Sequence, residues 1–236
     1  RRRLGQDFTF FRSHYFQSPQ KLPDSEFHKE FCGILHSLKD ARGSRLALAA
    51  PRGSGKSSVL AEYVVHCICY CTEPFIVVLS STQDQAAGFL DGIKYALTSN
   101  SRLMKDFPEV CEVGRKPGPP RWRNNEIITR NDIRLLALGS ENQIRGRKNR
   151  DHRPSLIILD DLETDDRLQS PEQYDKLYNW FAKSVLKAGT PQTNVIFAGT
   201  IHHYHSLLAQ FTSPDKNHGW KKVIWRSVMS WATHVE

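Results

Sequence analysis

The sequence has no secretory signal, no apolar run long enough to cross a membrane, no internal repeat and no low-complexity tract. The membrane-spanning and repeat-array classes are thereby removed. Cysteine is scarce and odd in number. Cys32, Cys67, Cys69, Cys71 and Cys111 cannot all pair, and without a leader they predict a reduced intracellular protein. Cys67, Cys69 and Cys71 follow one another at a spacing of two on one predicted helix. That spacing turns alternate side chains to different faces and suits no single metal ion, so they read as small buried hydrophobes. An initiator methionine is missing too: the chain begins Arg1-Arg2-Arg3 and stops soon after an apolar strand, as expected of a fragment or processed piece. After residue 200 no three separated carboxylates occur in strand context, the set a two-metal nuclease needs.

What is present suits one α/β core. The 236 residues are 39% hydrophobic, enough for a single main domain over 23–236 preceded by an aromatic and basic arm over 1–22. In that arm Phe8, Phe10, Phe11, Tyr15 and Phe16 stand among arginines with few helix caps, as expected of an arm packed onto the domain. The formal charge of +8 suits a polyanionic partner, and nucleic acid is the obvious one.

The chain is organised around Leu46 to Ser58, an apolar run that breaks into a glycine-rich turn and enters a helix. Gly55, Lys56 and Ser57 fit the end of the pattern G-x-x-x-x-G-K-[ST], with Ala50 in place of the first glycine. Glycines at 53 and 55 let backbone N–H groups converge on phosphate oxygens at the positive end of the following helix. Pro51, Arg52, Gly53, Ser54, Gly55, Lys56, Ser57 and Ser58 are therefore expected to line a bound nucleotide. Lys56 reaches its β- and γ-phosphates and Ser57 offers a hydroxyl to Mg²⁺. The bland alternative is a strand-to-helix turn that happens to hold two glycines and a lysine.

A second motif supports the first. Leu156-Ile157-Ile158-Leu159 suits a strand buried on both faces, and it ends abruptly in Asp160, Asp161 and Glu163. Asp160 is expected to hold Mg²⁺ opposite Ser57. Asp161 is the favoured base for the attacking water, with Glu163 as the second candidate. Asp165 and Asp166 read as a solvated acidic turn.

Around these motifs the periodicity predicts a helix over Ser25 to Lys39, a plausible adenine-side wall. Strands follow at 45–50 and Phe75 to Ser80 with a helix from Lys56 to Tyr70 between them, which makes a parallel sheet. Ser81 to Ala86 opens a helix to about Thr98 and reads equally as a ligand-contacting turn or an N-cap. A hairpin is expected over Glu126 to Arg130 and Ile133 to Leu138, turning at Asn131-Asp132. Later come a helix over Pro171 to Lys187, a strand over Asn194 to Thr200, a helix near 204–212 and a strand at 222–228. His202, His203 and His205 read as a polar strand end rather than a metal site.

Two stretches are strongly basic. Residues 107–125 form an exposed Pro-, Gly- and Arg-rich loop, in which Arg115 to Arg123 is the expected DNA contact. Gly139 to Pro154 leads directly into the carboxylate strand. Its Arg145 is the favoured arginine to act on a neighbouring subunit's phosphates, with Arg147 and Arg52 as alternatives and Arg52 better suited to its own subunit.

Taken together, Pro51 to Ser57, Ser80-Ser81-Thr82-Gln83, Ala137 to Ser140 with Ile144 to Arg147, Leu156 to Glu163 and Ala198-Gly199-Thr200 resemble the large terminase subunit of tailed bacteriophages, over about residues 27–228. The resemblance implies an additional-strand P-loop NTPase with a mainly parallel sheet, which hydrolyses ATP with Mg²⁺ to translocate double-stranded DNA into a procapsid. It further implies a portal protein and a small terminase subunit as partners and a five-subunit ring when docked. The expected setting is the host bacterial cytoplasm, with transient docking on the procapsid. Arg52 falls at the family's loop arginine, and Gly199-Thr200 falls at the motif that couples hydrolysis to movement. The sequence departs from the family at Ala50 and at Asp161, where many members carry glutamate. It also lacks the family's carboxyl-terminal nuclease, so ATP hydrolysis without DNA cleavage is expected. A superfamily 2 helicase would need a second domain that this length cannot hold. A nucleotide kinase or a non-catalytic binding module would be separated by ATPase assays with and without duplex DNA.

Overall fold

The computed structural model describes residues 7–17, 23–111, 122–164, 170–215 and 219–227. Residues 1–6 and 18–22 of the expected arm, most of the Arg115 to Arg123 segment, and Asp165 and Asp166 lie outside the described residues. The core is an eight-stranded sheet in the order β3-β4-β5-β2-β6-β7-β1-β8. In chain order the strands are β1 (Arg45–Ala49), β2 (Phe75–Ser80), β3 (Trp122–Arg123), β4 (Glu126–Ile128), β5 (Arg134–Gly139), β6 (Leu156–Asp160), β7 (Asn194–Gly199) and β8 (Lys221–Ile224). All neighbours from β5 to β8 pair in parallel, and β3 and β4 close the other edge antiparallel.

The apolar strands fill both faces because side chains alternate across a sheet. Leu46, Leu48, Ile76, Val78, Ile158 and Ile196 face one layer, while Ala47, Val77, Leu79, Ile157, Leu159 and Phe197 face the other. The first layer holds α1 (Phe8–Tyr15), α2 (Glu26–Ser37), α3 (Lys56–Tyr70), α4 (Gln83–Ser99), α5 (Ser101–Asp106) and α6 (Pro108–Cys111). The second holds α7 (Pro171–Trp180) and α8 (Leu207–Thr212). No helix among the described residues is long and apolar enough to cross a membrane.

Several local expectations change. The expected arm contains a helix, since the Asp7 carboxylate accepts hydrogen bonds from the Thr9 and Phe10 N–H groups and so caps α1. The side chain of Arg12 on α1 then bridges Asp24 and the buried Glu62 on α3, which balances the charge taken out of water. Trp122-Arg123, expected in an open loop, pairs with β4. The predicted helix over 171–187 changes pitch after Trp180, where the Leu186 N–H donates to the Phe181 carbonyl at 3.1 Å, five residues back. The wider turn lets both Phe181 and Val185 face the core, where Phe181 meets Phe197, Phe211 and Trp220. Cys67 and Cys69 are buried as expected, but Cys71 is exposed. It caps α3 in a left-handed conformation.

Candidate functional site

Strand register brings the motifs to one edge. Ala49 pairs with Gly199, Ala198 with Asp160, Leu159 with Leu79, and Ser80 with Gly139, so β1, β7, β6, β2 and β5 end side by side at their carboxyl termini. Ligands bind at this edge of open α/β sheets.

The loop after β1 begins with Ala50 N–H donating to the Gly199 carbonyl at 3.0 Å and turns where Ser54 N–H donates to the Pro51 carbonyl at 3.3 Å. Gly53 and Gly55 have φ of +77° and +78°, the left-handed region that glycine enters without strain. At Gly53 a Cβ would meet nothing within 4 Å, so that backbone faces open space. The first turn of α3 follows with Lys56 and Ser57, and the ammonium of Lys56 is buried with 4% of the residue exposed.

Lys56 Nζ donates to Thr200 Oγ1 at 3.0 Å and lies 3.4 Å from Asp161 Oδ2. Thr200 Oγ1 in turn donates to the Ala50 carbonyl at 3.2 Å. Ser57 Oγ donates to Asp160 Oδ1 at 2.9 Å. Burial pushes Asp160 up to about 6 against the pull of the Ser57 hydrogen bond, with the neighbouring Asp161 adding to the rise and Lys56 opposing it. A divalent cation between Ser57 and Asp160 would favour the charged carboxylate. Asp161 has φ of +44°, an uncommon conformation for aspartate that costs on the order of 1–3 kcal/mol. Among the described residues its buried Oδ1 has no hydrogen-bond partner, and neither has Ser54 Oγ in the loop.

These features fit a nucleotide with its metal ion: an open backbone cradle, a buried ammonium, a hydroxyl–carboxylate pair, and polar atoms lacking partners. The structure thus gathers Pro51 to Ser58, Asp160, Asp161 and Thr200. Arg52 is exposed and lines a cavity of about 300 Å³ with Ser81, Gln85, Asp161, Glu163, Thr164, Thr200 and His202. A second cavity of about 410 Å³ is lined by Ser57, Ser58, Gln85, Asp160 and Asp161 among others.

Glu163, the second candidate for the base, is held by backbone groups. Its Oε1 and Oε2 accept the Leu207 and Leu208 N–H groups, at 2.5 and 2.9 Å, so it closes the amino end of α8 instead of facing water freely. Burial raises its pKa, and those two bonds oppose the rise. Arg145 is exposed on the connector between β5 and β6, anchored next door by the fully buried Ile144. His203, Tyr204 and His205 form an exposed ring cluster, with the Tyr204 and His205 centroids 3.9 Å apart.

In the turn after β2, Thr82 Oγ1 accepts the Gln85 N–H at 3.2 Å, which makes Thr82 the N-cap of α4. Gln83 is structural: its side chain bonds the Ala137 carbonyl and the Gly139 N–H, each at 3.1 Å. Sequence reasoning flagged this turn without singling out Gln85. It also missed His28 on α2, whose ring accepts the Ser25 N–H at 3.2 Å and bonds the Ser54 backbone. The helical period of α2 was the only signal for His28. A Cβ on Gly55 would come within 3.1 Å of its Nε2, which gives Gly55 a packing reason as well as a conformational one.

No family model matches the sequence, and no curated protein is significantly similar to it. Among solved structures, the large terminase of bacteriophage HK97 aligns with a TM-score of 0.62 at 15% identity, covering 97% of this chain and 45% of that one. The ATPase domain of the Thermus phage P74-26 large terminase aligns with a TM-score of 0.45 at 15% identity, covering 81% of this chain and 75% of that one. This chain has the fold found in the HK97 large terminase and spans less than half of that protein's length.

Proposed function

We propose that this chain is an ATPase motor domain of viral DNA packaging, which hydrolyses ATP to move double-stranded DNA into a procapsid. The observation that carries the reading is the pair of contacts across the strand ends, Lys56 to Thr200 and Ser57 to Asp160, at 3.0 and 2.9 Å. They join the phosphate loop to the carboxylate strand and to the strand between them, within a fold shared with a packaging enzyme.

In this reading the N–H groups of the loop from Arg52 to Ser57 bind the phosphates, with Pro51 and Ser58 flanking them, and Lys56 exchanges its present partners for the β- and γ-phosphates. Ser57 and Asp160 would hold Mg²⁺, which supplies charge neutralisation for phosphoryl transfer. Once Lys56 turns to the phosphates, the Asp161 carboxylate loses its cation and is freed to accept a proton from water. Glu163 positions α8 and is not the base. Thr200, bonded to both Lys56 and the loop, couples the occupancy of the phosphate site to β7 and the segment after it. Arg52 serves its own subunit. Arg145 serves a neighbour in a ring of five, with portal protein and small terminase subunit as docking partners in the host cytoplasm. The basic segments Arg115 to Arg123 and Gly139 to Pro154 contact the DNA backbone.

The test is ATP turnover with and without duplex DNA, beside a Lys56→Ala control. Turnover that Lys56→Ala abolishes and DNA stimulates supports the reading; turnover that requires a second small-molecule acceptor would replace it with a kinase.

A further inference from the structure

Asp161 and Gln85 are the two residues that line both cavities at the strand ends. Asp161 directly follows β6; Gln85 reaches the same place from the first turn of α4. Thr82 holds the Gln85 backbone, and Ser81 Oγ donates to Gln85 Oε1, so the oxygen end of the amide is taken. Among the described residues nothing accepts from its Nε2. An amide fixed by its oxygen presents two N–H donors from the other end, here into a space shared with a carboxylate.

We infer that Gln85 is a catalytic residue of this site, its Nε2–H donating to the oxygen of the attacking water while Asp161 takes the water's proton. The inference rests on the ATPase reading above. In the step concerned, the water oxygen bonds to the γ-phosphorus and the bond from that phosphorus to the β,γ-bridging oxygen breaks. Its electron pair leaves with ADP, and the water proton passes to the Asp161 carboxylate, which later releases it to solvent. A donor on the water oxygen leaves one lone pair directed at phosphorus, and orienting the nucleophile is much of what a protein contributes to phosphoryl transfer. Ser81 is then a positioning residue, because its hydroxyl decides which end of the amide faces the water.

The test measures ATP affinity, kcat and trapping of ADP with aluminium fluoride in Gln85→Ala, Gln85→Glu and Ser81→Ala. Gln85→Glu keeps the length of the side chain and removes the donors. Both Gln85 variants are expected to lose about 10²-fold in kcat and to fail to trap ADP, with ATP affinity within about twofold of the parent. Ser81→Ala is expected to lose about tenfold, since the amide can then rotate. Gln85→Ala turning over and trapping ADP like the parent overturns the inference and leaves the ATPase reading standing. Loss of ATP affinity in equal measure with kcat also overturns it, by making Gln85 a ground-state contact. A folded parent that neither hydrolyses ATP nor binds it more tightly than Lys56→Ala does overturns both.

Discussion

The Lys56 ammonium donates to the Thr200 hydroxyl across 3.0 Å, and that hydroxyl donates in turn to the Ala50 carbonyl at the mouth of the phosphate loop. The end of β7 therefore feels directly where the lysine points. Thr200→Val keeps the shape and removes the relay. It is expected to lower ATP turnover about tenfold with ATP affinity little changed, and to lower DNA movement further than turnover. Thr200→Ser should retain both. Steady-state ATPase and DNA-translocation assays on the same preparations check the difference.

The two carboxylates after β6 separate by substitution. Asp161→Asn is expected to bind ATP and to lose at least about 10²-fold in turnover, the scale of a missing general base. Glu163→Gln keeps one acceptor for α8, so it should cost about 1 kcal/mol of stability and leave turnover near the parental level. Urea unfolding beside ATPase rates reads both. Turnover lost in Glu163→Gln alone would reverse the assignment.

Arg145 is exposed, and among the described residues its side chain makes no hydrogen bond or ion pair. Arg145→Ala and Lys56→Ala subunits, each inactive in a ring, are expected to recover turnover when mixed, because one supplies the arginine and the other the site. A trans arginine is worth roughly 10³ to 10⁵ in rate, so even partial complementation is measurable. A mixture that forms rings and stays inactive sinks the assignment.

His66 on α3 is 4% exposed, and among the described residues neither ring nitrogen has a hydrogen-bond partner. It stands among Phe8, Phe11, Tyr63 and Tyr70. Burial pushes it down from 6.5 to about 4, so the folded state resists a proton that the unfolded chain accepts. Stability from this residue is complete above pH 6.5 and declines as pH falls from 6.5 to about 4, by up to about 3 kcal/mol. His66→Phe should flatten that part of the curve, as followed by urea midpoints at pH 7.5 and pH 5. An unchanged slope would place the acid sensitivity elsewhere.

The sheet and the phosphate loop were legible because each announces itself locally. A strand buried on both faces needs an unbroken apolar run such as Leu156 to Leu159, and a phosphate loop needs Gly55-Lys56-Ser57 at its fixed place. What was not legible depends on residues distant in sequence. That Glu163 caps the amino end of α8 depends on the Leu207 and Leu208 N–H groups, 44 and 45 positions on. Gln85 enters the site because β2 and β6 pair in register, which brings the turn after β2 beside Asp160 and Asp161. The helix over 8–15 had its cap in Asp7, but its partners are distant: Arg12 meets Glu62, 50 positions on, and Phe8 and Phe11 pack on Tyr63, His66 and Tyr70.

That last ion pair alters what counts as the nucleotide-binding unit. Glu62 lies one turn beyond Ser58 on the helix that presents Lys56 and Ser57, and its buried charge is answered from α1. Cutting the chain after residue 17 would take Arg12 away from that carboxylate and lift the Phe8 and Phe11 side chains off α3, which is expected to destabilise the helix. The penalty would fall on α3, whose first turn forms half of the phosphate site. The helix that carries Lys56 and Ser57 is thus steadied from a segment about 40 positions ahead of them in the chain.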